Sequence, residues 1–476
     1  MLLPAMSLLA SLVLLPVISN LYGSDGWVTL GVGQSIGAVV SVVVSLAWPV
    51  IGGNLVSVAE TLEARRSIFR SSIISRLIMM SILLVIAVPA TILIAGRYPL
   101  ETVLFMIGTA GNGLTASWYY AGIGEPRHVV VNEGIVRLVA YAISLGGLLL
   151  GGGLIWYAGV MALSGVAMLV LNWRQAMGSS KLRIPGQFAA GMRTIRSQFA
   201  GTTSRVLQAF FWFGGPTVFS LVAPGSLATF AALDQVQKAS NNALGVSPMA
   251  FVSWVGSAPR EDRRRRMRLS MTVILAIAVA AVVGYVVVSP FLLDFLFAGE
   301  LETTPLLTVL MVLLIALLLI VRSVEFLILV PLGYEKQIYR GNTIASVIGF
   351  GLLAVGALTF GVLGGLAAWV LVTLACWCGL PSWYYEADAR RDSEFGDPLR
   401  GDPPADRVVR GQNVTAKPLP PPFALGPRNG EQQILRNRAQ DLSASQPGRK
   451  TALAADVNGI HHLRVAEPSM SLPATR

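Results

Sequence analysis

Seven ionisable side chains sit in stretches that are otherwise apolar: Glu133, Arg137, Arg205, Asp234, Lys238, Arg322 and Glu325. Glu133 and Arg137 are four residues apart, Asp234 and Lys238 four, and Arg322 and Glu325 three, which puts each pair on one helical face where its members neutralise one another. Arg205 has no partner at helical spacing. An Arg, Lys or Asp at the centre of a bilayer costs about 2.5 to 3.5 kcal/mol on insertion scales, so charges kept there mark a pairing or a wet cavity. The chemistry they offer is the binding of anions, because Arg and Lys form charge-assisted hydrogen bonds to phosphate and carboxylate oxygens. Catalysis has little to work with. Of three histidines only His128 precedes the tail, and Cys376 and Cys378, two apart, suit neither a disulfide framework nor a zinc site. No cofactor and no enzyme activity are expected.

The elements that must carry these residues are membrane spans. The chain has 476 residues, 54% hydrophobic and 13% charged, against about 25% charged in a soluble domain. Apolar runs of about 20 residues, enough to cross a 30 Å hydrocarbon core as a helix, recur at 2–21, 28–53, 72–96, 99–121, 129–151, 153–172, 199–222, 227–256, 270–297, 303–331, 342–361 and 363–385. An all-α membrane protein of about twelve transmembrane helices is expected. The first run lacks a basic leader and a small-residue cleavage pattern, so it reads as a retained span. Lys238 lies about 11 residues into the eighth run, roughly 16 Å at the helical rise and hence at the midplane. Arg137 and Arg205 lie nearer the inner end. Arg76 and Arg322 are close enough to the inner surface to snorkel. The cluster Gly31, Gly33 and Gly37 reads as a close-packing face and not as a phosphate loop.

The net charge is +11, but 13 of the 36 basic and 11 of the 25 acidic residues lie beyond Tyr385, leaving 23 against 14 in the membrane part. The excess follows the membrane, so nucleic acid is not implied. With the N-terminus inside, Arg65, Arg66 and Arg70, then Arg127, Arg174 to Arg196, Arg260 to Arg268, and Lys336 with Arg340 all fall in inner loops, and the outer loops hold only Arg97. That is the positive-inside pattern. After residue 385 come 11 of the 26 prolines and no apolar periodicity, which predicts a disordered cytoplasmic tail. Within it, Lys417 to Pro422 could be a polyproline ligand or a plain linker, and the sequon at Asn413 is on the wrong side for glycosylation.

The halves repeat weakly. At an offset of 200, Leu21 and Leu30 meet Leu221 and Phe230, and Arg65 with Arg66 meets Arg265 with Arg266. With one gap Pro49 meets Pro248, and Gly124, Arg127 and Asn132 correspond to Gly333, Lys336 and Asn342. Two parallel six-span halves related by a pseudo-two-fold along the membrane normal follow: 1–172 and 199–385, with a basic connector at 173–198 and the tail at 386–476. Twelve spans in two parallel halves suit both the major facilitator group and the multidrug/oligosaccharidyl-lipid/polysaccharide exporters. Local wording favours the second. The stretch LPVISNLYGSDG from Leu15 to Gly26 resembles the first helix end and Gly-rich turn of the polysaccharide flippases of the O-antigen (Wzx) type, and TASWYYAGIGEPR from Thr115 to Arg127 is similar to their fourth helix and basic turn. ETLEARR from Glu60 to Arg66 does not reproduce the Gly-Arg-rich facilitator motif.

The resemblance implies a flippase for an undecaprenyl-pyrophosphate-linked oligosaccharide in a bacterial inner membrane, working by alternating access from a cavity lined by spans one, two, seven and eight. In that cavity Lys238, Arg205 and Arg137 would meet the pyrophosphate. Gln34, Asn112, Gln208, Asn241 and Asn242 would bond sugar hydroxyls or, equally, pack helices together. Asp234 and Glu133 would couple the cycle to a cation. Membrane lipids, and a polymerase or glycosyltransferases, are the expected partners. The alternatives are a cation-coupled multidrug exporter of the same superfamily and a membrane scaffold that recruits polysaccharide enzymes through its tail.

Overall fold

The structure, a computed structural model, describes residues 2–178, 187–256, 260–301, 304–330 and 335–395. The tail readings at Lys417 and Asn413 lie outside the described residues. Helices follow one another along the chain: α1 Leu2–Ser45, interrupted at Gly23, α2 Trp48–Ser57, α3 Leu62–Ile94, α4 Pro99–Ala110, α5 Ser117–Gly122, α6 Arg127–Val129, α7 Val136–Leu149, α8 Gly153–Met177, α9 Gln187–Phe213, α10 Gly215–Val222, α11 Leu227–Leu244, α12 Val246–Gly256, α13 Arg260–Phe297, α14 Pro305–Val324 and α15 Glu335–Phe395, interrupted at Gly361. Short π-helical stretches join α6 to α7 at 130–135 and extend α14 at 325–329. Among the described residues the turns divide these helices into twelve successive runs. The turn at Tyr22 to Asp25 recurs at Ala223 to Ser226, and that at Leu150 to Gly153 recurs at Gly361.

Several runs begin well before their apolar stretch. α3 starts at Leu62, capped by the Thr61 hydroxyl accepting from the Ala64 amide at 3.2 Å, ten residues ahead of the predicted span, and α13 starts ten residues early at Arg260. Arginine is a good helix former, so the basic segments continue the helix instead of forming a loop. For the same reason most of the expected connector is helix: α8 runs to Met177 and α9 begins at Gln187.

Seven stretches among the described residues are long and apolar enough to cross a membrane on their own, two of them each spanning a turn between runs. The runs that fall short are the fourth, seventh and eighth, which are broken at Gly111 to Ala116, Gly214 and Gly245. Broken helices are tolerated at membrane depth where they are packed in protein or line a cavity.

Two of the breaks are held by the same device. In the second run, Leu46 takes a left-handed φ of 50° between α1 and α2, which costs a non-glycine residue roughly 1 to 2 kcal/mol. The guanidinium of Arg205 donates to the Leu46 carbonyl, and the Ala47 amide of the same peptide donates to Gln198 Oε1 at 3.1 Å. In the fourth run the helix gives way at Thr115 (φ −59°, ψ 153°). There Arg76 donates to the Thr115 carbonyl at 2.8 Å and to that of Gly113 at 3.0 Å, and the Ala116 amide donates to Glu133 Oε1 at 2.8 Å. In each case one freed peptide is met at both its polar atoms. Arg76, expected at the inner surface, is therefore fully buried at 1% exposure, with its guanidinium over the Trp118 ring. The carbonyls exposed by the helix break draw it inward.

The apolar core sets the state of the bundle. Toward the end carrying the Tyr22 and Ala223 turns, both halves share one cluster in which Ile18, Trp27 and Phe105 pack with Phe219, Phe230 and Phe297. Trp27 donates to the Ala228 carbonyl at 3.0 Å, and its ring meets Phe297 edge-on at 5.1 Å. At the opposite, arginine-rich end the halves pack as separate clusters, one around Trp48, Phe69 and Tyr120, the other around Val255, Met267 and Leu327. Among the described residues no apolar cluster joins those two. α1 also packs closely on α4: a Cβ on Gly37 would run into the Met106 carbonyl.

Arg76→Ala should lower stability by about 3 kcal/mol, because it strands the Glu133 carboxylate and two carbonyls away from water. The unfolding midpoint of detergent-solubilised protein measures this. Adding Glu133→Gln should recover part of the loss, whereas strictly additive losses would show that the two side chains do not share the peptide.

Candidate functional site

Between the two halves lies a chamber of two compartments that meet at Val42 and Phe213. The first, of about 330 Å³, is lined by Gln34, Asn112, Arg137, Tyr141, Ser164 and Lys238. Arg137 reaches it from the fifth run and donates to Asn112 Oδ1 at 2.6 Å. Lys238 reaches it from the eighth run, with its ammonium 2.5 Å from Asp234 Oδ2 and 5.9 Å from the Phe213 ring centroid. The Asp234 side chain is wholly buried behind Lys238, which keeps 20% of its own exposed. Gln34 accepts from Gln235 at 3.0 Å across the halves, and Ser35 contacts Thr217 at 2.8 Å.

The second compartment, of about 440 Å³, is lined by Arg205, Gln208, Trp212, Arg322, Glu325 and Asn342. Glu325 accepts from Asn342 at 2.9 Å. Gln208 Nε2 is buried without a hydrogen-bond partner. Arg205 lines this compartment while its guanidinium holds the Leu46 peptide and approaches Ser45 Oγ at 3.4 Å.

The three ionic pairs expected from spacing thus meet different fates. Asp234 and Lys238 form an ion pair, as an ordinary α-helix at that position allows. Glu133 and Arg137 form no ion pair, because each side chain is taken by a partner elsewhere in the fold. Glu133 turns to the Ala116 amide and to Asn172 at 3.3 Å instead. Arg322 and Glu325 line one compartment, but the helix turns π-helical at Glu325, where Val330 donates to the Glu325 carbonyl, and the carboxylate is taken by Asn342. The contact from Ala116 to Glu133 and that from Glu325 to Asn342 both span 17 residues. The repeat has kept the contact and exchanged which helix supplies the carboxylate.

Of the predicted cargo residues, Gln34, Arg137 and Lys238 come together in one compartment and Arg205 and Gln208 in the other. Asn241 is buried and donates to the Gln237 carbonyl at 3.1 Å, and Asn242 is exposed; neither lines the chamber. Among the described residues the first span does not line the chamber either. Leu14, Leu15 and Ile18 are buried in the shared core, and the fourth to sixth and tenth to twelfth runs take its place around the chamber. Tyr141 was legible as the residue four after Arg137. The waist formed by Val42 and Phe213 left no polar signal in the sequence. Removing Glu133 from the chamber leaves four cations, Arg137, Arg205, Lys238 and Arg322, against two carboxylates, Asp234 and Glu325.

Lys238→Met should destabilise the protein by about 3 kcal/mol by stranding Asp234, and Asp234→Asn in the same chain should recover most of that. Thermal midpoints of the single and double variants check it, and an unrescued double variant would contradict the pairing.

No protein-family model matches the sequence, and no curated protein matches it. Solved structures do. A multidrug resistance MATE family transporter of the MOP superfamily in an inward-facing conformation superimposes with a TM-score of 0.59 at 13% identity, over 81% of this chain and 96% of that one. The eukaryotic MATE transporter AtDTX14 gives 0.47 at 15% identity, over 82% and 96%. A variant of the Vibrio cholerae MATE transporter VcmN gives 0.44 at 14% identity, over 81% and 94%. The first of these carries the assignment: this multi-span helical membrane protein has the fold of the MATE transporters.

Proposed function

We propose that this protein carries an anionic, lipid-linked saccharide across a bacterial inner membrane by alternating access. The observation that supports this reading is the excess of positive charge in the chamber. Arg137 and Lys238 enter one compartment from opposite halves, and only Lys238 has a carboxylate in contact. Arg137 is met by a neutral amide, so its charge is left for an incoming anion. A diphosphate would replace Asn112 at Arg137 and share Lys238 with Asp234, forming charge-assisted bonds. The amides and the Trp212 face in the second compartment suit saccharide hydroxyls and ring faces, and the tail of the lipid stays in the bilayer.

The packing supports a cycle of this kind. By the positive-inside rule the arginine-rich end is cytoplasmic, and there the halves pack separately. The opposite end is sealed by the core around Trp27 and Phe297. Cargo loads from the cytoplasmic side and leaves after the halves rock about the chamber. Proton binding at Asp234 would free Lys238 and couple the movement to a cation gradient.

A second reading, a cation-coupled multidrug exporter, draws on the buried Asp234 and on the fold. The charge balance opposes cationic cargo. Efflux of a cationic dye from cells expressing the protein, lost in Asp234→Asn, would favour it.

Arg137→Ala and Lys238→Ala should each lower transport roughly tenfold or more, the loss expected for one charge-assisted bond. Surface polysaccharide in a deletion strain complemented with each variant, with membrane insertion verified, reads this out; wild-type polymer from both variants would refute the anionic site. Truncation after Glu386 should leave export intact. Loss of export from an inserted stump would favour the scaffold reading.

A further inference from the structure

The clamp on the second run differs from that on the fourth in ways that give it a separate role. Arg76 and Glu133 belong to the same half as the peptide they hold and are both buried. Arg205, in the second half, and Gln198, at the end of the connector, both lie on α9, outside the half that holds Leu46, and Arg205 lines the chamber. One device is sealed inside a half. The other crosses between halves and stands where cargo would arrive.

The eighth run holds the counterpart of this break. Pro49 aligns with Pro248 in the repeat, and the same offset aligns Leu46 with Gly245 at the break between α11 and α12. Gly245, a glycine free to take either hand, is right-handed at φ −63° and ψ −14°, and its amide keeps its bond to the Asn241 carbonyl four residues back at 2.8 Å. Leu46, which is disfavoured in the left-handed region, adopts φ 50°, and its amide bonds three residues back to Val43 at 3.1 Å. Proline alone therefore does not demand the left-handed break. At an offset of 200 the counterpart of Arg205 is Ala5, which has no cation to offer.

We propose that the peptide joining Leu46 to Ala47 is a latch: Arg205 and Gln198 hold the second run in a left-handed break, and an anionic headgroup entering the chamber draws Arg205 away and releases it. Once released, Leu46 returns to the right-handed conformation of its counterpart, and α2 swings about Pro49 relative to α1. Arg205 is then a positioning residue that senses cargo. The trigger rests on the anionic-cargo reading above, while the latch itself rests on geometry alone.

Spin labels at Val58→Cys and Leu150→Cys, both exposed at 76% and 90%, report α2 against the rest of its half once Cys376 and Cys378 are replaced by serine. The wild-type background in nanodiscs should give one distance population. Arg205→Ala and Gln198→Ala should each give a second without ligand, and farnesyl diphosphate should produce that same second population in the wild type. Inorganic pyrophosphate serves as the free-anion arm: a response to it equal to that of farnesyl diphosphate identifies the headgroup charge as sufficient. Leu46→Gly, which removes the cost of the left-handed break, should raise the farnesyl diphosphate needed by roughly tenfold. Arg205→Lys keeps the charge but loses the two-pronged donor, and gives the same readout if Arg205→Ala does not fold. Distances unchanged in the Arg205 and Gln198 variants overturn the latch whatever the cargo. Variants that shift while neither diphosphate acts on the wild type overturn anion-triggered release.

Discussion

A peptide group freed from its helix inside hydrocarbon has no water to turn to, and each of its polar atoms costs several kcal/mol unless protein meets it. The architecture of this protein is organised around that requirement. A chamber at mid-bilayer calls for helices that stop and restart, and every stop exposes carbonyls and amides. The second and fourth runs answer with a cation on the carbonyl and an acceptor on the amide of a single peptide. Charges that look like cargo ligands from their depth are in part scaffolding. Arg76 and Glu133 are spent on the break in the fourth run and on its neighbours, and the charge left in the chamber is what remains after that use.

The repeat makes the cost of each solution visible. Where the first half has Glu133 on the fifth run reaching back to a backbone amide, the second half has Glu325 on the tenth run receiving an amide from Asn342. Both carboxylates sit in π-helical stretches, which are rare and recur at functional sites. Asp234 and Lys238, in regular α-helix, keep the pairing that their spacing implies. A closed core at one end and parted cores at the other then leave the chamber bounded by polar groups from both halves.

Much of this was legible from residue types. The composition excluded a water-soluble domain, the period of the apolar runs set the helices, the offset near 200 set the pairing of the halves, and Gly33 and Gly37 marked a close helix contact that the backbone distances bear out. Lys238 and Arg137 were selected by depth and charge, and they share a compartment with Gln34, which was selected by type. Asn241 and Asn242 were selected by type alone and lie elsewhere. Depth counted from a span boundary failed for Arg76, because the helix it belongs to starts ten residues before its apolar stretch and because a broken neighbour attracts it.

The sequence by itself determined the class of molecule, the number and order of its helical runs, its duplication and the excess of buried cations, because hydrophobicity and charge act residue by residue and need no knowledge of neighbours. Only the tertiary structure decided which cations face the chamber and which are consumed by peptides. That choice depends on where helices break, and a break is settled by partners far away in the chain: Arg205 lies 159 residues from the carbonyl it holds, and Gln198 lies 151 from its amide.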